Sequence, residues 1–260
     1  MTKLTISLAQ MNIEMGDVAR NTTTMQRMVA EAARRRSHLL LLPELWSTGY
    51  AWGDYRDLAT SSNQGQFQEV SAIAQKAKMS IFASMLEKRG EQFANTGAFF
   101  ANNGRTLGLY RKMHLFRLFQ EDKYLQAGSS WLTMDLPWGV TGVAICYDLR
   151  FPEMFRALAQ DGTVLTLLVA EWPLERIEHW RTLIRARAIE NQMYIAAVNA
   201  AGATGETVFG GHSMIVDPWG NTVVEAGEEP MLITGEIEMD KVAEIRQRIP
   251  ISEDRRADLF

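Results

Sequence analysis

The stretch Gln66–Tyr110, QFQEVSAIAQKAKMSIFASMLEKRGEQFANTGAFFANNGRTLGLY, decides the architecture once it is set beside Glu178–Glu225. In the first stretch a helical pattern over Gln66–Lys78 gives way to strands near Ser80–Met85 and Thr96–Ala101. Asn103-Gly104 then turns the chain back through Thr106–Tyr110, since Asn-Gly suits the positive φ values of a tight hairpin loop. In the second, a helix over Glu178–Gln192 precedes strands at Tyr194–Asn199, His212–Asp217 and Thr222–Glu225, the last two joined by Pro218-Trp219-Gly220-Asn221. Each block follows a short apolar run, Leu39–Leu42 or Val164–Val169, that reads as a strand buried on both faces. The order of elements repeats although the residues do not. Two similar mixed sheets packed face to face with helices outside, a four-layer α-β-β-α sandwich, satisfy the repeat. A single doubly wound sheet accommodates a hairpin in each half less naturally.

The remaining segments extend the same α/β plan. Strands are expected at Leu4–Leu8, Val140–Cys146 and Leu232–Ile237, and helices at Asn21–Arg36, capped by Asn21, at Glu153–Gln160 and from Asp240 to about Arg248. Gly202–Gly211 reads as a mobile loop between strands. No Pro/Ser-rich linker or charge block divides the chain, so residues 1–260 are read as one domain.

Composition narrows the function. The chain has 260 residues, 47% apolar and 22% charged, and a formal charge of -4, which argues against a nucleic-acid partner. No apolar run approaches the roughly 20 residues of a membrane span. Met1-Thr2-Lys3-Leu4-Thr5 enters polar/apolar alternation without a signal-peptide core, and a lone Cys forms no internal disulfide, so a cytoplasmic protein is expected. The four His (His38, His114, His179, His212) make no His-x-x-x-His pair, and the glycine-rich segment lacks a nucleotide-binding pattern. Neither a metal nor a cofactor is implied.

Three polar residues end three strand-like segments: Glu44 after Leu39-Leu40-Leu41-Leu42-Pro43, Lys112 after Leu107–Arg111, and Cys146 after Val140–Ile145. The crevice beyond the carboxyl ends of strands is where α/β sheets bind ligands. A carboxylate, an ammonium and a thiol are the parts of acyl transfer. Taken singly, each has an ordinary reading as a loop carboxylate, a surface lysine and a small core residue.

Their surroundings carry more information. Pro43-Glu44-Leu45, Tyr110-Arg111-Lys112-Met113-His114-Leu115-Phe116 and Ile145-Cys146-Tyr147-Asp148-Leu149-Arg150-Phe151-Pro152-Glu153, with Gly211-His212-Ser213, Asp217-Pro218-Trp219-Gly220 and Ile249-Pro250, resemble the nitrilase superfamily of carbon–nitrogen hydrolases. The resemblance runs from the first strand to the C-terminus and implies the same α-β-β-α sandwich. It implies Cys146 as nucleophile, Glu44 as general base and acid, Lys112 as oxyanion partner, and Glu121 as a second carboxylate orienting Lys112, with Asp122 next door leaving a small ambiguity. The backbone N–H of Tyr147 would join Lys112 in stabilising the oxyanion. Attack on an amide would then leave a thioester that water releases.

Within the superfamily the likeness is to ω-amidases, which act on ω-amides of short dicarboxylates such as 2-oxoglutaramate and succinamate. Ala170-Glu171-Trp172-Pro173-Leu174 through His179-Trp180 is similar to bacterial members linked to methionine salvage. An anionic substrate needs a cation, for which Arg150 is the candidate; a structural pair with Asp148 or a helix terminus is its other reading. His114, Phe116 and Trp172 are candidate substrate contacts. Glu171 sits awkwardly near the nucleophile unless neutralised, for which Arg176 and His179 are available. The resemblance also implies a homodimer built across helix Glu178–Gln192, against ordinary packing within one chain. The partners expected are therefore a small amide, water and a second copy of the chain. An N-carbamoyl amino-acid hydrolase or another small aliphatic amidase of the same fold, and a non-catalytic scaffold, are the competing readings.

Overall fold

Strands whose residues are apolar on both sides must be covered on both sides, and here each sheet is covered by the other and by helices. The computed structural model describes residues 3–256, 258 and 259; Met1 and Thr2 of the N-terminal alternation lie outside the described residues. In chain order the first part comprises β1 (Lys3–Gln10), α1 (Val18–Arg34), β2 (Leu39–Leu41), α2 (Tyr55–Leu58), α3 (Gly65–Ala77), β3 (Ser80–Arg89), β4 (Gln92–Phe100) and β5 (Thr106–Arg111). The next part comprises α4 (Glu121–Tyr124), β6 (Thr133–Leu136), β7 (Gly139–Ile145), α5 (Pro152–Gln160), β8 (Leu165–Ala170), α6 (Ile177–Asn191) and β9 (Tyr194–Asn199). The chain closes with β10 (Ala201–Thr204), β11 (Thr207–Gly210), β12 (Met214–Val216), β13 (Thr222–Glu225), β14 (Met231–Glu238), α7 (Asp240–Arg248) and α8 (Ile251–Asp254).

One sheet has the order β14-β1-β2-β3-β4-β5 and the other β13-β12-β9-β8-β7-β6. In the first, β1, β2 and β3 are parallel and β4, β5 and β14 run against their neighbours. In the second, β7, β8 and β9 are the parallel trio, with β6, β12 and β13 antiparallel. The repeated order of elements is thus a repeated sheet, and the expected four-layer sandwich is the observed architecture. Alternation in the strands divides the core: Leu39 and Leu41 face the second sheet with Ile6, Leu8, Val143, Ile145, Leu167 and Val169, whereas Leu40 faces helices α1 and α3 with Met25, Val29, Phe67 and Val70. Gly97 of β4 lets the sheets approach, since a Cβ there would lie 2.8 Å from the Phe82 ring and 3.5 Å from Ile145.

Four local expectations need correction. Helix α1 is capped by Asp17, whose side chain accepts from Arg20 N–H at 3.0 Å, and not by Asn21. Asn21 is instead buried in the first turn, where it accepts from Glu14 N–H at 2.9 Å and donates to the carbonyls of Glu14 at 2.8 Å and Ser47 at 2.9 Å. Strands β3 and β4 form one long hairpin around Gly90, so the pairing begins well before Thr96. Gly202–Gly211 is mostly the β10–β11 hairpin and not an irregular loop, and β6 had no expected counterpart.

Asn21 pins the segment after Glu44 through Ser47, so its loss should cost more than loss of the true cap. Asn21→Ala is expected to lower the unfolding free energy by about 1–3 kcal/mol, because two buried carbonyls lose their donor. Asp17→Ala is expected to cost about 1 kcal/mol. Urea denaturation measures both, and the reverse order would contradict the assignment.

Candidate active site

The site lies where the parallel strands of both sheets end. Strand β2 runs through Leu42 and Pro43 into Glu44, and Leu45 turns at φ 41° with its N–H donating to Ser84 Oγ at 2.8 Å. Strand β5 delivers Lys112, whose N–H donates to the Asn95 carbonyl at 2.9 Å. Strand β7 delivers Cys146 at φ 47°, a left-handed conformation that non-glycine residues adopt at a cost of about 1–3 kcal/mol. Asp148 holds that turn, accepting Ile145 N–H at 2.9 Å and Tyr110 Oη–H at 2.7 Å. Arg187 of α6 fastens the same turn by donating twice to the Leu149 carbonyl, at 3.1 and 2.9 Å.

Lys112 is the hub. Its Nζ lies 2.8 Å from Glu44 Oε1, and 2.9 and 2.8 Å from Glu121 Oε1 and Oε2, with all three side chains buried. Asn95 Nδ2 donates to Glu44 Oε1 at 2.8 Å and reaches Glu121 Oε1 at 3.4 Å. Glu121 Oε2 also accepts Phe116 N–H at 2.6 Å, and Glu44 Oε2 accepts Glu171 N–H at 2.9 Å. Glu121 is buried on Lys112 while Asp122 is exposed, which settles which carboxylate the lysine meets.

Burial opposes the Lys112 ammonium, but the charges of Glu121 and Glu44 outweigh it and hold its pKa well above the ordinary range. Burial raises the Glu121 carboxyl, with Lys112 opposing and Glu44 adding. Burial also pushes the Cys146 thiol well up, reinforced by Glu44 and only partly opposed by Lys112. The surroundings thus favour the thiol over the thiolate, and the Glu44 carboxyl group stands beside it.

Cys146 opens into a small cleft walled by Phe116, Tyr147 and Trp172. The Phe116 and Tyr147 ring centroids are 4.9 Å apart. Trp172 is fixed by its N–H donating to Asn199 Oδ1 at 2.6 Å and its Nε1–H to the Arg176 carbonyl at 2.9 Å. Two cations line the cleft: Arg150, over the Trp172 ring at 4.8 Å, and Arg176, over Phe116 at 5.4 Å.

The expected residues divide accordingly. Glu44, Lys112, Glu121 and Cys146 are brought together, and Phe116, Tyr147, Arg150 and Trp172 line the cleft. Arg150 does not pair with Asp148; its guanidinium meets His179 Nδ1 at 3.2 Å. His114 is drawn aside, with Nδ1 2.8 Å from Asp148 Oδ1 and its ring stacked on Phe151 at 3.7 Å. Neither suggested partner neutralises Glu171, because Arg176 pairs with Glu175 and His179 with Arg150. Asn95 is the contribution that the sequence leaves unmarked, and Arg176, expected only as a partner for Glu171, lines the cleft instead. Asn95 had one available signal, a polar residue on the strand face that also carries Gly97 and Phe99.

A buried thiol beside a carboxylate and a lysine, at strand ends of two facing sheets, defines a class of acyl-transfer hydrolase. The chain belongs to the carbon–nitrogen hydrolase family, whose pattern matches residues 5–247. It is 37% identical to a 2-oxoglutaramate amidase of Bacillus subtilis, covering 99% of this chain and 100% of the relative. It is 34% identical to the omega-amidase NIT2 of Mus musculus, covering 98% and 97%. The structure superimposes with a TM-score of 0.92, at 30% identity over 99% and 98% of the chains, on a CN-hydrolase superfamily protein of Xanthomonas campestris that carries an arsenic adduct in its active site.

Removing the hub should strand two buried carboxylates. Lys112→Met is expected to lower stability by about 3–5 kcal/mol, as loss of one partner of a buried pair does. Adding Glu44→Gln should recover part of that loss. Thermal and urea denaturation at pH 7 test both, and a loss below about 1 kcal/mol for the single variant would contradict the charge balance.

Proposed function

We propose that this carbon–nitrogen hydrolase cleaves the ω-amide of a short dicarboxylate, 2-oxoglutaramate or succinamate, through a thioester on Cys146. The observation that carries the reading is the combination of Lys112 clamped between Glu44 and Glu121 with two arginines lining the cleft beside Cys146. Names of relatives as distant as Bacillus and mouse agree with it.

Glu44 takes the thiol proton as Sγ attacks the amide carbon. The carbonyl oxygen becomes an oxyanion, facing the Lys112 ammonium and Tyr147 N–H. The C–N bond breaks as Glu44 returns its proton to the nitrogen, and ammonia departs from a thioester. Water then attacks that carbonyl, giving its proton to Glu44. Collapse expels the sulfur, which regains the proton, and the free acid leaves. Arg150 and Arg176 hold the far carboxylate, the guanidinium fork matching its geometry. Glu121 keeps Lys112 in place and, through Phe116 N–H, ties it to the cleft wall.

The same reading takes residues 1–260 as one hydrolase domain working in the cytoplasm as a homodimer, its product feeding methionine salvage. Among the described residues no helix is long and apolar enough to cross a membrane. Helix α6 supports the dimer: Trp180 and Ile184 are buried within the chain, but Ile189, packed at Gly220, stays 50% exposed, and Trp219 next to that glycine is 43% exposed.

Ammonia release from 2-oxoglutaramate, succinamate, glutamine, asparagine, carbamoyl amino acids and nitriles tests the assignment. The ω-amides of dicarboxylates are expected to be turned over best, and no preference over glutamine would sink it. Cys146→Ala should abolish release, and Glu44→Gln should lower kcat by about 100–10,000-fold. Because Cys146 is the only thiol, one equivalent of alkylating agent should stop the enzyme. Activity surviving in Cys146→Ala would remove the thioester route.

A further inference from the structure

Three carboxyl groups, those of Glu44, Glu121 and Glu171, share this buried site with one ammonium, that of Lys112. Lys112 contacts the first two directly, so its one ammonium is already shared between two carboxyl groups. Glu171 is 1% exposed, and its Oε1 has no hydrogen-bond partner among the described residues. A third bare carboxylate there would cost several kcal/mol, and such a group takes a proton instead. Burial accordingly raises the Glu171 carboxyl well above the usual range, Glu44 adding to the shift, Lys112 opposing it and Glu121 adding again. Neither cleft arginine makes an ion pair with Glu171 among the described residues: Arg176 pairs with Glu175, and Arg150 is turned to the His179 ring.

The position of Glu171 gives the neutral acid something to do. Its N–H is bonded to Glu44 Oε2, so its backbone is fixed beside the proposed base. Its side chain lines the cleft of Cys146 and also the adjoining cavity walled by Tyr50, Trp52, Phe119 and Thr204. Oε1 sits over Gly49, where a Cβ would lie 3.7 Å away. Tyr50 lines the same cavity, and its buried hydroxyl is a second polar atom without a hydrogen-bond partner among the described residues. Two buried, unpartnered polar groups beside a reacting thiol form a place for an uncharged polar substituent of the substrate.

We propose that Glu171 is held as a neutral carboxylic acid that donates a hydrogen bond to an uncharged acceptor oxygen on the acyl chain, with Tyr50 beside it, and so selects 2-oxo acid ω-amides over unsubstituted ones. This deepens the ω-amidase reading above and rests on it. The arginines hold the charged end, whereas Glu171 reads the carbonyl next to it. An ionised Glu171 would instead repel the anionic substrate.

The test compares kcat/KM for 2-oxoglutaramate and for glutaramate, the same chain without the oxo group, in the wild type, Glu171→Gln and Glu171→Met. Glu171→Gln keeps a neutral donor and should keep the preference for the oxo substrate. Glu171→Met should lower kcat/KM on 2-oxoglutaramate by about tenfold more than on glutaramate, the worth of one buried hydrogen bond. An equal fall on both substrates, or a Gln variant as unselective as the Met variant, would overturn the proposal.

Protonation has its own readout. Above the usual carboxylate range the unfolded chain releases the Glu171 proton while the fold retains it, so this group erodes stability as pH rises toward its folded pKa. The Tm advantage of Glu171→Gln over the wild type should therefore grow from pH 5 to pH 9, and a constant difference would show that Glu171 is ionised. If the wild type cleaves neither amide, the ω-amide reading fails and the selectivity claim falls with it, while the melting curves still decide the protonation state.

Discussion

One ammonium holds this site together. Lys112 is carried to the dry space between the sheets by β5, and only the pair of Glu44 and Glu121 makes its burial tolerable. Those carboxylates in turn need the lysine, and Asn95 supplies the remaining donor. The cluster is thus a mutual constraint: each member is affordable only because the others are in place. It also bears on Cys146, whose thiol burial and Glu44 push up while Lys112 opposes them.

The cleft reverses the electrostatics of the cluster. Inside, acids outnumber bases; at the rim, Arg150 and Arg176 lie over aromatic rings that leave their guanidinium groups directed along the cleft walls. On the proposed reading, an anionic acyl chain would meet cations at one end and the Lys112 cluster at the other. A formal charge of -4 for the whole chain is no obstacle, since only the local field around the substrate matters.

The order of elements was legible because apolar runs and turn dipeptides repeat in the two halves, and the two sheets share one six-strand pattern of neighbours, with β14 returning from the C-terminal end to complete the first. Glu44, Lys112 and Cys146 were legible because a polar residue ending an apolar strand is conspicuous. What escaped was set by packing that spacing does not encode. Asp17 and Asn21 are both good caps by type, and only the burial of Asn21 against Ser47 assigns it elsewhere. β6 is a short edge strand with Asp135 at its centre, so its apolar signal is weak. Asn95 lies inside a strand whose neighbours look like core, and Arg176 enters the cleft through a turn after Pro173. His114 had the chemistry of a substrate contact, but Asp148 and the Phe151 ring claim it.

The pseudo-duplicate sheets have a further consequence. Glu44, Asn95 and Lys112 come from one sheet, and Cys146 and Glu171 from the strands of the other. A partly synthesised or half-folded chain therefore possesses a cysteine without its proton acceptor, or an acceptor without its cysteine. Docking of the two layers is what brings Cys146 beside Glu44 and Lys112. On the proposed mechanism, assembly of the sandwich is therefore the step that completes the reaction centre.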